Sequence, residues 1–438
     1  MSCKRTYKFR GLWKLLIEII SRGGDMGDNH RIRQGILIGK YRSYYQSLGY
    51  EGFDQNSFIR YKKMNLCSQS TLSRLENGLT VSSEEILLNL IEKIGLKYCD
   101  DSRVFYSVNR LATRYLKMMT TSSYDDLVKF RDKIEYLSKV YESTFYLGQI
   151  IDVIRVALDY LLNSKLPEIF WLEKNIHFSK SFSAELKTIL LDLAIWYQEI
   201  SPRSSPHIES YISSGIHKES LTTQSLLIEL NLQIREGDFY RAIRLLDKLL
   251  KVNLNEISKF RLHRLELMLK VNLTKFEKSS DEVQVCDFSG NMVFIPKQEM
   301  AKYYNFLGIS EVYCDHYHSA KNYFLLAQEC FEQICVIQLP FLYEVSLHVK
   351  EFSIVNQLDK IRYFVKDYGA YHNHVFRYFE LLTTQEDSSS SLAYLAKHLK
   401  SEVLKTNKKI IPQSIFVRSA IDSVSRNGKY KFIFDLLY

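Results

Sequence analysis

The sequence predicts an all-α protein with a small N-terminal domain of short helices and a long C-terminal body of helical repeats. Three observations support this fold class. Only 6 prolines and 17 glycines occur in 438 residues, which is few for a turn-rich β protein. Four helical patterns with start and stop signals follow one another between residues 32 and 97. From residue 103 onward, apolar residues recur with helical spacing, interrupted by short polar turns.

The N-terminal domain is organised around Ser68–Gly78, which reads Ser-Gln-Ser-Thr-Leu-Ser-Arg-Leu-Glu-Asn-Gly. Ser68 can cap the N-terminus of a short helix, and Gly78 can adopt the left-handed conformation that ends one. Leu72 and Leu75 lie three residues apart and therefore share a face. The other face keeps polar side chains that suit base edges and phosphates. These side chains are Ser70, Ser73, Arg74 and Asn77.

Three more short helices are predicted around this segment. The first ends at Gly49, and the second begins at Asp54-Gln55. Ser82-Ser83-Glu84-Glu85 is a capping box that predicts the start of the fourth helix, which ends at Gly95. The apolar positions are Ile38, Tyr41, Tyr45 and Leu48 in the first helix, Phe58, Ile59 and Met64 in the second, and Leu87, Leu90, Ile91 and Ile94 in the fourth.

This block resembles the lambda-repressor-like (Cro/XRE) helix-turn-helix domain, most specifically in Gln55 and in the run from Ser70 to Gly78. The resemblance implies that Gln69 and Ser70 lead a recognition helix toward the bases and that Asn77 contacts a phosphate. One departure is the connection Lys62–Cys67, which is longer than the usual turn of the family. The residues expected at DNA are Gln55, Gln69, Ser70, Thr71, Ser73, Arg74 and Asn77. The alternative is that Leu-Glu-Asn-Gly only ends an ordinary helix.

The charge distribution agrees with one nucleic-acid surface near the N-terminus. The net charge is +9, of which residues 1–25 carry +4 and residues 26–98 carry +3. A positive excess on the short helices suits a phosphate backbone. The remaining residues are nearly neutral, which argues against a second nucleic-acid surface.

The first 25 residues allow three interpretations. Phe9–Ile20 has the pattern of a basic amphipathic helix for a membrane surface or a partner. As a truncated signal peptide it would lack a small-residue cleavage site, and Lys14 and Glu18 interrupt its apolar core. Alternatively, Gly23-Gly24-Asp25-Met26 can be encoded as a ribosome-binding site before a start codon. We favour Met26 as the start and expect residues 1–25 to be a non-native or disordered extension.

The sequence shows no catalytic or metal-binding pattern. The 7 cysteines form no Cys-x-x-Cys pair and no cluster with histidine, so a zinc site or a disulfide framework is not expected. Glycine-rich phosphate loops and nucleophile motifs are absent from the sequence. Free thiols suit a reducing cytoplasm, and no apolar run is long enough for a transmembrane helix. We therefore expect no enzyme activity, no cofactor, no metal and no membrane partner.

The C-terminal body, residues 99–438, contains one specific repeat pattern. Tyr304-x-x-Leu307-Gly308, followed by Ala320-x-x-x-Phe324 and Ala327, matches the tetratricopeptide (TPR) signature, in which small residues let two helices approach closely. A weaker copy runs from Leu226 to Ala242, and Gly428-Lys429-Tyr430 indicates a last partial repeat. The body is therefore predicted to be a right-handed TPR-like solenoid. Thr274–Ile295 is an insertion that reads equally well as a small hairpin or as a disordered loop.

The concave face of such a solenoid binds extended segments. By the repeat register, Lys302, Asn305 and Ile309 face inward from one repeat, and Asn231 and Arg235 face inward from the other. An asparagine amide can pair with the backbone of an extended peptide, and a lysine or arginine can bind its carboxylate. The candidate peptide-binding residues are Asn231, Arg235, Lys302 and Asn305. For each, the alternative is an ordinary solvated side chain.

A helix-turn-helix domain at residues 26–98 followed by a TPR-like body resembles the bacterial peptide-pheromone regulators of the RRNPP group, which includes the Rgg- and PlcR-like proteins. This resemblance implies a cytoplasmic homodimer that binds a double-stranded DNA operator and responds to a short linear peptide. The alternative is a helix-turn-helix regulator whose body binds a protein partner or only dimerises. A third class, a peptide-regulated enzyme, lacks a visible site.

Overall fold

The computed structural model describes residues 27–61, 64–79, 83–99, 102–163, 165, 167–200, 205–214, 222–274, 295, 297–331, 335–365, 370–384 and 388–399. Within these ranges the chain is almost entirely helical, which confirms the all-α class. The predicted extension 1–25, the proposed start at Met26, most of the 274–295 insertion and the last partial repeat lie outside the described residues. No helix within the described ranges is long and apolar enough to cross a membrane.

The chain divides into two compact units. The first unit comprises Met1–Ala194 with Ser210–Thr222, and the second comprises Ile195–Glu209 with Thr223–Tyr438. The N-terminal elements are α1 Gly27–Ser47, α2 Gln55–Phe58, β1 Arg60–Tyr61, β2 Met64–Asn65, α3 Gln69–Glu76 and α4 Glu84–Ile94. They are followed by α5 Ser102–Thr121, α6 Tyr124–Tyr141, α7 Leu147–Asn163, α8 Ile169–Phe178, α9 Ala184–Ile200 and α10 Pro206–Ser213, with a 3-10 turn at Ser179–Ser181 between α8 and α9.

The predicted starts and stops of the short helices are largely confirmed. The Asp54 side chain accepts from the Ser57 backbone N–H at the start of α2. The Ser68 side chain accepts from the Thr71 backbone N–H at the start of α3. Gly78, which follows the end of α3, has φ +70°, a conformation that glycine adopts without steric cost. The predicted capping box is wrong, because the cap of α4 is Ser83. The third helical position, which a capping box fills with Glu or Gln, is then Ile86.

The apolar face of these helices packs as predicted, with three exceptions. Leu48 is mostly exposed, Tyr45 is only half-buried, and Met64 lies exposed in β2 because α2 ends at Phe58. Burial of the remaining apolar side chains gives the short helices the shared core that none could form alone. The buried side chains are Leu37, Ile38, Tyr41, Phe58, Ile59, Leu72, Leu75, Leu87, Leu90, Ile91 and Ile94.

Helix α1 also packs against later helices of the first unit. The Tyr41 ring lies 4.5 Å from the ring of Phe178 and 5.9 Å from that of Phe145. The Tyr41 hydroxyl accepts from Gln149 Nε2 at 2.6 Å. Lys97 pairs with Thr144 in an isolated parallel bridge. The predicted segment 26–98 therefore shares one compact unit with helices beyond it, and its boundary as a domain stays a prediction.

The second unit continues the helical pattern. Its helices are α11 Thr223–Glu236, α12 Phe239–Leu249, α13 Glu256–Thr274, α14 Lys297–Tyr313, α15 Tyr317–Cys330, α16 Cys335–His348, α17 Ile354–Val365, α18 Ala370–Thr384 and α19 Ser388–Tyr394, which runs into a π-helical turn at Leu395–Leu399. Phe306 of α14 packs against two buried apolar clusters, one formed mainly by α11 to α13 and one formed mainly by α14 to α18. This partly buried ring thus joins consecutive parts of the unit.

The TPR-like signature corresponds to a close helix pair, α14 and α15. A Cβ atom added at Gly308 would lie 2.6 Å from Cε1 of Phe324, so only glycine leaves room for that ring. Leu307, Ala320 and Ala327 are completely buried, as the signature predicts. The weaker copy also forms a helix pair, α11 and α12. The assembly of these pairs into one right-handed solenoid stays a prediction.

Candidate functional site

Helix α3 presents a polar face to solvent. Its eight residues bury Leu72 and Leu75, and the helix begins at the Ser68 cap. Because both leucines point into the core, the opposite side of the helix must face outward. The predicted DNA-contacting residues on the exposed side are Gln69, Ser70, Arg74 and Asn77, and Thr71 and Ser73 are half-buried. Gln55, at the start of α2, is also exposed.

The N-terminus of α3 holds a cluster of three hydroxyl groups. Ser68 Oγ accepts from the Thr71 backbone N–H at 3.1 Å. The same oxygen lies 2.8 Å from Ser70 Oγ and 2.9 Å from Thr71 Oγ1. These bonds fix the geometry of the first turn, where the helix dipole favours negative groups. Hydroxyl groups here can therefore donate to phosphate or to base edges.

The Gln69 side chain is positioned by a residue that the sequence analysis missed. Its Nε2 donates to Oδ1 of Asn56, the second residue of α2. This bond links the exposed ends of α2 and α3 and restricts the Gln69 amide before any ligand arrives. The only signal in the sequence was that Asn56 is a polar residue next to Gln55. A fixed amide is what bidentate pairing with adenine requires.

The longer connection between α2 and α3 contains the two short strands β1 and β2. Tyr61 of β1 pairs with Met64 of β2 in antiparallel register. The Lys93 ammonium of α4 donates to the backbone carbonyls of Phe58, at 3.2 Å, and Arg60, at 2.8 Å. Burial lowers the pKa of Lys93, although the Asp54 carboxylate opposes this effect. Helix α4 thus binds the backbone at the end of α2 and at the start of β1.

Three predicted DNA-contacting residues line a cleft of about 520 Å³ in the first unit. They are Gln55, Ser73 and Asn77, and the Asn77 amide donates to the Ser73 carbonyl at 2.8 Å. The same cleft is also lined by Lys40 from α1, Lys180 from the 3-10 turn and Lys187 from α9. The sequence analysis missed these lysines because they are far apart along the chain.

Glu76, the one carboxylate among the described residues that line this cleft, is paired with an arginine. Arg42 Nε lies 2.5 Å from Glu76 Oε1, and Arg42 Nη2 lies 2.9 Å from Oε2. Burial lowers the pKa of Lys40, and the nearby charge of Lys180 lowers it further. The charges of Lys40 and Lys180 therefore repel each other, and an anion close to both would relieve this repulsion.

The predicted peptide-binding residues lie on α11 and α14 of the second unit. Asn231 is buried, and Arg235 donates to Gln198 Oε1 at 2.6 Å. Asn305 is 5% exposed, and its Oδ1 has no hydrogen-bond partner among the described residues. Because an unpaired buried acceptor is costly, Asn305 Oδ1 is a strong candidate for bonding a ligand N–H. None of these positions is an ordinary solvated side chain.

Lys302 belongs to a buried ionic cluster. Its ammonium lies 3.6 Å from Glu299 Oε1, and Arg264 Nε lies 2.9 Å from Glu299 Oε2. All three side chains are less than 10% exposed. Nearby along α13, the Arg261 guanidinium lies 4.3 Å from the ring centre of Trp196. The sequence analysis missed Arg261, Arg264 and Glu299, although the pairs 261/264 and 299/302 have the spacing of one helix face.

Comparison with protein-family models, with curated proteins and with solved structures finds no match. Function is therefore inferred from the residues and contacts described above.

Proposed function

We propose that this chain is a sequence-specific DNA-binding transcriptional regulator that inserts α3 into the major groove. The observation that carries this proposal is the outward polar face of α3, anchored by Leu72 and Leu75 and ordered by the Ser68 cap. An α-helix fits the major groove, where amide and guanidinium groups can distinguish base pairs. Gln69 and Arg74 supply these two groups on the exposed side.

We further propose that a short linear peptide controls this activity by binding to the second unit, as in the RRNPP regulators that the sequence resembles. Support comes from Asn305, whose buried acceptor lacks a partner among the described residues. The buried charges around Glu299 also suit a peptide, because its charged termini and its backbone amides can pair with them. The peptide must bind two states of the chain with different affinity if it is to change DNA binding.

In this proposal the chain acts as a homodimer in the cytoplasm. Two copies of α3 would then read two half-sites about one helical turn of DNA apart. The second candidate function is a DNA-binding regulator whose helical body binds a protein partner or only dimerises. It differs from the first in needing no peptide.

The test is selection of binding sites from a pool of random DNA duplexes with the full chain. We expect one enriched motif with two related halves, which supports sequence-specific binding by a dimer. A selected pool no different from the input would refute the DNA-binding function. Native mass spectrometry of the purified chain then separates the two candidates. A bound peptide supports the peptide-controlled regulator. If the mass of the chain does not change even with an excess of added short peptides, the regulator without a peptide ligand is supported.

A further inference from the structure

We propose that the cleft beside α3 binds a phosphate of the DNA backbone and that Lys180 and Lys187, outside the predicted helix-turn-helix segment, contribute to this contact. This inference rests on the DNA-binding function proposed above and extends its interface. The interface would then include the 3-10 turn after α8 and the first turns of α9, in addition to α2 and α3.

The first argument is charge. Three lysines line the cleft, and Glu76, the one carboxylate among its described lining residues, already bonds Arg42 through both oxygens. Among the described residues, no carboxylate forms an ion pair with Lys40 or Lys180. The cleft therefore attracts an anion, and a phosphodiester supplies one at each nucleotide.

The second argument is the set of neutral donors in the same cleft. Gln55, Ser73 and Asn77 line it together with the lysines. Amide and hydroxyl groups of this kind account for many phosphate contacts in protein–DNA complexes. Since Asn77 follows the last residue of α3, the cleft adjoins the face that would enter the major groove. This continuity favours the DNA backbone over a free anion.

The third argument is support of the lysines by the fold. The 3-10 turn Ser179–Ser181 follows α8, whose Phe178 ring packs on Tyr41 of α1. The Lys187 backbone carbonyl accepts from the Tyr211 hydroxyl at 3.1 Å. The backbone of Lys180 is thus held beside α1, and the backbone of Lys187 is bonded to α10. Ordered backbones lower the entropic cost of positioning the two long side chains.

The test is a salt titration of DNA binding with the full chain, its Lys180→Gln/Lys187→Gln double variant and a Lys139→Gln control. Lys139 is an exposed lysine of α6 outside the cleft. The ligands are a duplex selected by the wild-type chain and a random-sequence duplex. Circular dichroism melting verifies that each variant is folded.

We expect the double variant to bind both duplexes more weakly by a similar factor, because phosphate contacts carry no sequence information. The slope of its log affinity against log salt concentration should be less steep by about 1.8, because each of the two lost phosphate contacts accounts for about 0.9. The control should keep the wild-type slope.

An unchanged slope, or tighter binding by the double variant, would overturn the inference. The two lysines would then make no contribution to DNA binding or would weaken it. Binding of inorganic phosphate to the wild-type cleft, combined with an unchanged DNA slope, would assign the site to a free anion and also overturn it. Failure of the proposed function appears separately, as a wild-type chain that selects no motif. In that case the slope on random duplex still decides the role of the two lysines.

Discussion

Arg42 and Glu76 form a bidentate ion pair that joins α1 to the last residue of α3. Their two contacts measure 2.5 and 2.9 Å, and both side chains are only 10% exposed. Arg42 also donates to the Phe53 carbonyl at 3.2 Å, which ties in the turn before α2. One guanidinium thus connects three consecutive parts of the candidate DNA-binding segment. This geometry suits arginine, because lysine offers no planar pair of donors.

The first prediction concerns this pair. Arg42→Ala should lower the free energy of unfolding of the first unit by about 3–5 kcal/mol, because it leaves Glu76 charged and buried without its partner. Hydrogen exchange of the α3 amides measures the effect locally. Arg42→Met/Glu76→Leu should cost less than the single change, since no charge is left unpaired. If the double variant is as unstable as Arg42→Ala, the pair is not coupled.

The second prediction concerns base readout by Gln69. Gln69→Ala should weaken binding to a selected duplex by about 1–3 kcal/mol and change binding to random DNA little. Asn56→Ala should give a smaller loss of the same kind, because it removes only the group that holds the Gln69 amide. Fluorescence anisotropy with both duplexes measures the difference. Asn89→Ala on α4 is the control. Equal losses on both duplexes would show that Gln69 does not read bases.

The third prediction concerns the α14–α15 pair. Gly308→Ala should destabilise the second unit by about 1–3 kcal/mol, because the added methyl group overlaps the buried Phe324 ring. In a chain that carries Phe324→Leu, Gly308→Ala should cost less stability than it does in the wild-type chain, because the smaller side chain leaves room for the methyl group. Urea unfolding of the four proteins completes the cycle. Strict additivity would mean that the loss caused by Gly308→Ala does not arise from contact with the Phe324 ring.

The fourth prediction concerns the candidate peptide site. Asn305→Ala should leave the melting temperature nearly unchanged, because the acceptor it removes has no partner among the described residues. It should weaken binding of a co-purified peptide by about 1–3 kcal/mol, measured by calorimetry, because a buried peptide N–H loses its acceptor. Leu307→Ala is the control and should cost about 2–5 kcal/mol of stability. Unfolding of Asn305→Ala would make Asn305 structural, and unchanged binding would exclude it from the site.

Local patterns in the chain were sufficient to locate the short helices. The Ser68 cap, the glycine after α3 and the spacing of Leu72 and Leu75 all depend on residues within one or two turns of each other. Such preferences act through nearest backbone groups and are legible in the order of residues. The packing of Gly308 on Phe324 was also predictable, since a repeat signature records both sides of one helix pair.

Contacts between distant segments could not be derived in this way. Gln69 and Asn56, Arg42 and Glu76, and the lysines of the cleft are brought together by the packing of helices. The backbone at the start of β1 likewise accepts from the Lys93 ammonium of a later helix. The order of residues thus defined where the short helices lie, the caps of α2 and α3 and the polar face of α3. The folded chain defined which charges meet, because Coulomb and hydrogen-bond energies depend on distances in space and on burial, and neither is encoded locally.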